Sequence, residues 1–172
     1  MVSLREFHES RVEIEKLLSE ENLGFLGMSM NNIPYTIPIT YGYHNGKIIF
    51  HCTRTGRKLD YLRSNPKVCL AVGRHFGNIV PHPQGAVCHA HSNSVICNGI
   101  ARIVDDIDER CSVLNIFNRC IQPNAREITR DEVANCTAVE IMIIEMTARI
   151  ERDSQCTYWK YSFSEHKEQI IE

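Results

Sequence analysis

Between Phe50 and Val68 the chain reads FHCTRTGRKLDYLRSNPKV, a run that holds Arg54, Arg57, Lys58, Arg63 and Lys67. The whole chain has a formal net charge of -2, so this is a local concentration of cations in an otherwise slightly acidic protein. Within it, Leu59 and Leu62 share one helical face and Asn65-Pro66 is a stop signal, which predicts a short helix from Gly56 to Ser64. Arg57 and Lys58 then occupy the first turn, where the unpaired N–H groups already carry partial positive charge and further cations are unfavourable. A bound anion would reverse that penalty. A phosphate dianion suits the position, gripped by the Arg fork and the Lys point charge. Gly56 would let the backbone approach it closely, and Thr53 and Thr55 would offer hydroxyls. The competing reading is a solvated charged face, and spacing alone leaves both open. Arg63 and Lys67 lie beyond the first turn and read as solvated, balancing Asp60 or the helix C-terminus.

Other residue types capable of chemistry cluster less tightly. His82, Cys88, His89 and His91 fall in one stretch rich in His, Pro and Gly. Their spacing matches no zinc pattern, which normally needs two separated ligand pairs, so the stretch reads as a polar loop from His75 to Asn93 and no metal is assigned. The same histidines are the place to look for a haem ligand. The eight cysteines contain no CxxC, and several sit in apolar runs such as KVCLAV and SVICNG, so they read as small buried hydrophobes. Cys52, near Arg54 and the predicted helix start, is the candidate reactive thiol, with packing as the alternative.

The composition is that of an ordinary globular chain, 172 residues with 43% hydrophobic and 23% charged. One domain with a real core is expected over residues 1–172. The charge balance favours neither nucleic acid nor an anionic membrane as partner. No apolar run is long enough to span a bilayer, and MVSLREFHESRVEIEKLL lacks the apolar core of a signal peptide, which makes the cytoplasm the expected location.

Local patterns predict the elements that must position these residues. A capping box at Ser3–Glu6 opens a helix over residues 3–21. Three strands follow at 24–30, 35–43 and 47–53, joined by hairpins at Asn31-Asn32 and Asn45-Gly46. Pro34 and Pro38 belong at a strand end, edge or bulge. Beyond the short helix come strands at 67–73 and 94–106, then a helix at 107–121. A turn or short helix with a Thr129/Glu132 capping box follows, then a long strand from Ala138, with Glu140 and Glu145 on its solvent face. CTYWKYSF is the last strand, its aromatic residues in the core or on a dimer surface. Short connections make the sheet mainly antiparallel, and about seven strands with few helices suggest a closed or partly open barrel.

The stretch IPYTIPITYGYHNGKIIFHCTRTGRKLDYLRSNPKVCLAV resembles the FMN-binding split-barrel superfamily that includes the pyridoxamine-phosphate oxidases, and within it the branch of nitroimidazole-resistance proteins. SVICNGIARIVDD resembles the same branch's next strand. The resemblance spans roughly Leu23 to Asp106 and keeps the hairpin, the GRK turn, the NP stop and the SV strand in order. It implies a mainly β, antiparallel, Greek-key-like split β-barrel that works as a homodimer. It implies FMN as cofactor, with the phosphate on Arg57 and Lys58 and the isoalloxazine along Ile37, Pro38, Ile39 and Thr40. His51, Cys52 and Thr53 would lie beside the flavin, with His51 as proton donor or substrate contact. Ser94 and Val95 would reach a flavin held mainly by the other protomer. The implied activity is reduction of a small electron-poor molecule such as a nitro-aromatic; the alternative is a flavin- or haem-binding carrier or sensor without turnover. Gly56 stands where the oxidases carry Ser, and Ser94 where they carry Gln. The oxidases' substrate-phosphate site and C-terminal flavin-contacting segment are not found, so vitamin B6 oxidation is not expected.

Overall fold

The computed structural model describes residues 6–81, 88–152 and 155–168. These form strands β1 (His8–Glu9), β2 (Leu23–Met30), β3 (Ile33–Thr40), β4 (Gly42–His44), β5 (Lys47–Thr53), β6 (Lys67–Pro81), β7 (Cys88–Val104), β8 (Cys136–Arg152) and β9 (Gln155–Ser162). The helices are α1 (Arg11–Glu20), α2 (Arg57–Ser64), α3 (Ile107–Ile121) and α4 (Ser164–Glu168). The sheet runs β1-β9-β8-β7-β6-β2-β3, with β5 also on β8 and β4 on β5. Every pairing is antiparallel except β1 with β9. This is the mainly β, partly open barrel expected from the pattern of short strands, and the split barrel that the resemblance implies.

Both hairpins form where the turn residues predict. Asn31 and Asn32 have φ of 51° and 63°, and Asn45 and Gly46 have φ of 44° and 78°. Two consecutive left-handed residues match the right-handed twist of the flanking strands. The expected strand at 35–43 is two strands. Its break is Tyr41, whose N–H donates to the Asn22 carbonyl (2.8 Å) and whose hydroxyl donates to the Leu18 carbonyl (2.9 Å). With that side chain fully buried, the backbone leaves β2 and turns to β5.

Strand β8 organises the fold. One edge pairs with β7 from Ala138 to Glu151. The other pairs first with β5, from Cys136 to Met142, and then with β9, from Glu145 to Arg152. At the changeover Asn98 faces Glu145 and Gly99 faces Ile143, so Ile144 is an extra, bulged residue. The backbone groups there find new partners: Ile143 N–H donates to the Gly46 carbonyl (3.0 Å), and Phe163 N–H donates to the Ile144 carbonyl (2.9 Å). A Cβ on Gly99 would stand 2.5 Å from the Met142 carbonyl oxygen, so only glycine fits opposite the bulge.

Two apolar clusters lie on the two faces of β5. Ile48 and Phe50 face the main core with Leu26, Leu70, Ile141 and α1's Ile14 and Leu18. Ile49 faces a smaller cluster with Val104, Val113 and Leu114 under α3. Asp106 caps α3 by accepting from the N–H groups of Asp108 (3.0 Å) and Glu109 (2.8 Å). The Glu132 carboxylate accepts from Thr129 N–H (2.9 Å), half of the expected capping box, and residues 130–135 form a turn rather than a helix.

Four expectations are corrected. Helix α1 starts at Arg11 with Ser10 as its cap, because residues 8–9 are drawn into parallel pairing with β9; Ser3 lies outside the described residues. The polar stretch after Gly73 is for the most part paired strand, with His75 opposite Ser92 and Phe76 opposite His91. Lacking an apolar alternation, it carries no strand signal in sequence, yet β6 and β7 satisfy each other's backbone. Arg74 and Arg152 both stack on Phe76, at 4.8 and 4.9 Å, and brace this arm. Residues 82–87, including His82, lie outside the described residues. Glu140 is not on a solvent face: it is buried, paired with Lys47 (3.2 Å) and Arg102. Glu145 is half-buried and pairs with Lys160 (2.7 Å).

Gly99→Ala should lower stability by about 1–3 kcal/mol, because the methyl group meets backbone that cannot move without breaking the β8 ladder. Urea denaturation would measure it. A loss within ~0.5 kcal/mol, the usual range for a surface change, would contradict the tight approach at the bulge.

Candidate functional site

Helix α2 begins at Gly56, whose φ of 132° is open to glycine and strained for any L side chain. No side chain caps the helix. Thr53, expected to offer its hydroxyl to a ligand, instead donates it to the Thr55 carbonyl (2.8 Å). Gly56's carbonyl accepts from Leu59 (2.9 Å) and Asp60 (3.3 Å), and no described acceptor reaches the N–H of Arg57 or Lys58. The first turn therefore combines orphan backbone donors with two cationic side chains. The two other arginines of the run are engaged: Arg54 donates to the Ala134 carbonyl (3.3 Å) and Arg63 faces Asp60 (3.8 Å).

The same turn touches both lips of the gap in the barrel. Strand β3 has β2 on one edge and no described strand on the other. Beyond Ile49, β5 has β8 on one edge and no described strand on its second. The Arg57 guanidinium stacks over Tyr35 of β3 at 4.5 Å. The Lys58 ammonium lies 5.6 Å from the centre of the Phe50 ring on β5. The open edge of β3 carries Pro34 and Pro38, residues that an unpaired edge tolerates because they have no N–H to lose. Ile37 and Ile39 turn inward to the core, while Pro38 and Thr40 are exposed. The gap can thus offer backbone groups from β3, aromatic faces, and a strong anion-binding end.

The remaining expected residues divide. His51 and Cys52 do not meet, since consecutive strand residues face opposite sides. His51 is exposed and packs edge-on against Phe117 of α3, with ring centres 5.4 Å apart. Cys52 turns toward the main core and Lys58. Burial pushes the Cys52 thiol up, Lys58's charge opposes that, and nearby Cys136 adds to it; the net direction is upward. Val95 is buried in the core, so no side chain of it is available to a ligand. Ser94 lies on the outer face of β7 opposite Gly73. Tyr35 pairs with Met28, and the register then leads to Val68, five residues short of Gly73 and roughly 17 Å along β6. Within one chain Ser94 does not reach the α2 turn.

Around Ser94 the outer face of the sheet is unusually apolar. Leu23, Phe25 and Ile96 are 52%, 50% and 38% exposed. The register sets Pro38, Phe25, Ala71 and Ile96 in one row across β3, β2, β6 and β7. Beside it lies a hollow of about 630 Å³, lined by Met28, Pro34, Thr36, Lys67 and Ile100 among others. Among the described residues no group of three His, Cys, Asp or Glu is placed to hold a metal ion. No described helix is long and apolar enough to cross a membrane. The pair that sequence reasoning missed is Tyr35 and Tyr61; the i,i+4 spacing of Arg57 and Tyr61 on a predicted helix was the available signal.

The raised Cys52 thiol and its half-burial predict slow alkylation at pH 8, slower than at the exposed Cys156, with the rate still climbing as the pH is raised further. Peptide mass spectrometry after timed iodoacetamide treatment would read this, and preferential labelling of Cys52 would refute it.

Comparison with known proteins places this arrangement. A family model described as pyridoxamine 5'-phosphate oxidase matches residues 10–150. An uncharacterized protein of Rhizobium meliloti (strain 1021) is 35% identical over 69 residues, 40% of this chain and 45% of that protein, so the match spans less than half of the curated relative's length. A candidate 5-nitroimidazole antibiotic resistance protein from Bacteroides thetaiotaomicron superposes with a TM-score of 0.71 at 23% identity, over 82% of this chain and 84% of that one. An FAD- and heme-binding protein from Mycobacterium smegmatis gives 0.73 at 16% identity, over 94% and 78%. At such identities the two structures speak for the fold. The family match covers most of the chain, from the cap of α1 to near the end of β8, and with it this chain belongs to the pyridoxamine 5'-phosphate oxidase family.

Proposed function

We propose that the chain is a flavoprotein that binds FMN by its phosphate and reduces small electron-poor compounds of the nitro-aromatic kind. The observation that carries this is the uncapped first turn of α2, whose two cations lean on opposite lips of the barrel gap. The residues fit a phosphate well. Arg57 supplies a two-pronged fork, Lys58 a point charge, and the backbone N–H groups of both complete the cradle above Gly56. The polar edge of a flavin ring would lie along the open edge of Ile37–Thr40, where backbone groups have no described strand partner. FMN would supply the electron-transfer chemistry; the chain supplies grip, orientation and access. Relatives of this fold that bind FAD, and one named for nitroimidazole resistance, support the flavin and substrate classes.

A second copy of the chain belongs to this reading. The apolar row through Phe25 and Ile96 needs a cover of like chemistry, and Ser94 lies next to it on the same face, opposite Gly73. A two-fold arrangement would bring a partner's outer face to each α2 turn, which one chain cannot do with its own Ser94.

Two experiments test the proposal. Titration of the protein with FMN, FAD and riboflavin should give tightest binding to FMN. Arg57→Ala/Lys58→Ala should weaken FMN by about 100-fold or more, roughly tenfold for each charge-assisted contact, and leave riboflavin nearly unchanged. Equal loss for both ligands, or no flavin binding by the wild type, would overturn the phosphate anchor. Flavin that binds but passes electrons to no electron-poor acceptor would instead favour a carrier or sensor. For the second copy, light scattering should report a dimer, and Phe25→Asp/Ile96→Asp should shift it toward monomer. A wild-type monomer at micromolar concentration would remove that part of the reading.

A further inference from the structure

Arg57 is not a free surface cation. Its guanidinium lies 4.5 Å from the centre of the Tyr35 ring and 5.4 Å from that of Tyr61, and its Nη2 donates to the Tyr61 hydroxyl at 3.2 Å. The two rings pack against each other, with centroids 5.0 Å apart and planes inclined by 52°. Tyr61 is buried and Tyr35 half-buried against the main core, so both rings are fixed by the fold while Arg57 itself is exposed. Among the described residues the Tyr61 hydroxyl has Arg57 as its hydrogen-bond partner. An exposed arginine ordinarily samples many rotamers and loses that freedom when it is pinned. Here two rings and one hydrogen bond hold the fork at the mouth of the gap before any ligand arrives. The bond uses one donor of five, and the others remain for an anion.

We propose that Tyr61, with Tyr35 as its shelf, is a positioning residue for the phosphate anchor: it pre-orders the Arg57 fork and so sets the preference for phosphorylated over unphosphorylated flavin. This rests on the FMN reading above and adds a residue that acts only through Arg57. Lys58, which leans on Phe50 instead, lies outside this device.

A double-mutant cycle with Tyr61→Phe tests it, because Phe keeps the buried ring and removes only the hydroxyl. The readout is the ratio of FMN to riboflavin affinity, measured by flavin fluorescence quenching. Tyr61→Phe should weaken FMN about 3- to 10-fold, the range of one ordinary hydrogen bond, and leave riboflavin within twofold. In an Arg57→Ala background the same substitution should change FMN binding by less than twofold. Tyr35→Leu, which removes the shelf, should act in the same direction as Tyr61→Phe and likewise vanish in the Arg57→Ala background. A fall in FMN and riboflavin affinity together, or an undiminished effect without Arg57, would mark Tyr61 as merely structural and overturn the proposal. An effect of Arg57→Ala on FMN with none from Tyr61→Phe would overturn the positioning role and leave the phosphate anchor standing. A wild type that binds no flavin would overturn both.

Discussion

The fold depends on one strand having three neighbours. β8 keeps β7 along one edge and exchanges β5 for β9 on the other, and a single bulged residue, Ile144, makes the exchange possible. A bulge adds twist and bends the strand locally. It also leaves backbone groups that must be paired elsewhere, here by Gly46 and Phe163. β5 begins beside that changeover and stays on β8 to Thr53, but β4 covers its second edge only as far as Ile49, so its far end has no described strand there. The chain then has to travel from the end of β5 to the start of β6, and α2 is that connection. The gap and the helix start that overlooks it thus both lie at the far end of β5, past the reach of β4.

Electrostatics distinguishes this helix start from the rest of the surface. Most arginines of the chain are already engaged. Arg102 ties buried Glu140 to Glu109 (2.8 Å) at the start of α3, and Arg110 is buried with its guanidinium on the carbonyls of Val104 (3.1 Å) and Asp105 (2.8 Å). Arg11 pairs with Glu15 (2.6 Å) within a network that also holds the Tyr43 hydroxyl. Arg57 and Lys58 lean on rings instead. A ring attracts a cation through its quadrupole but takes none of its strong donors, so these two remain competent for an anion. The energetic logic is the opposite of a surface ion pair, in which each partner satisfies the other.

The outer face adds a second asymmetry. Small and apolar residues line one row of β3, β2, β6 and β7, whereas the opposite face carries the main core. Phe25 and Leu23 are exposed and lie outside the monomer's core, whereas Gly24 and Leu26 beside them are buried. Their alignment in one apolar row is a property of register: a one-residue slip of β2 would bury Phe25 and expose Leu26.

Short-range chemistry was legible in the residues alone. Asn31-Asn32 and Asn45-Gly46 demand left-handed backbone, Asn65-Pro66 ends a helix, and GRK after a strand puts cations into a first turn; each depends on neighbours a few positions away. The position of Arg57 and Lys58 was therefore readable, and so was the mainly β class. The features that the residues could not disclose depend on partners far along the chain. The arm of β6 and β7 carries no alternation and exists because each strand satisfies the other. Tyr41 breaks a strand because it must reach Asn22 and Leu18. Glu140, read as solvent-facing from an apolar strand interrupted by charge, is buried because Lys47 and Arg102 arrive from two other strands. His51 and Cys52, adjacent in sequence, are parted by the pleat, and Tyr35 and Tyr61, 26 positions apart, are joined on one arginine. Sequence determined which groups could bind an anion, because that is a property of residue type and local backbone. Tertiary structure decided which of them are still free to do so, because only packing settles whether a charge meets a carboxylate, a carbonyl or the face of a ring.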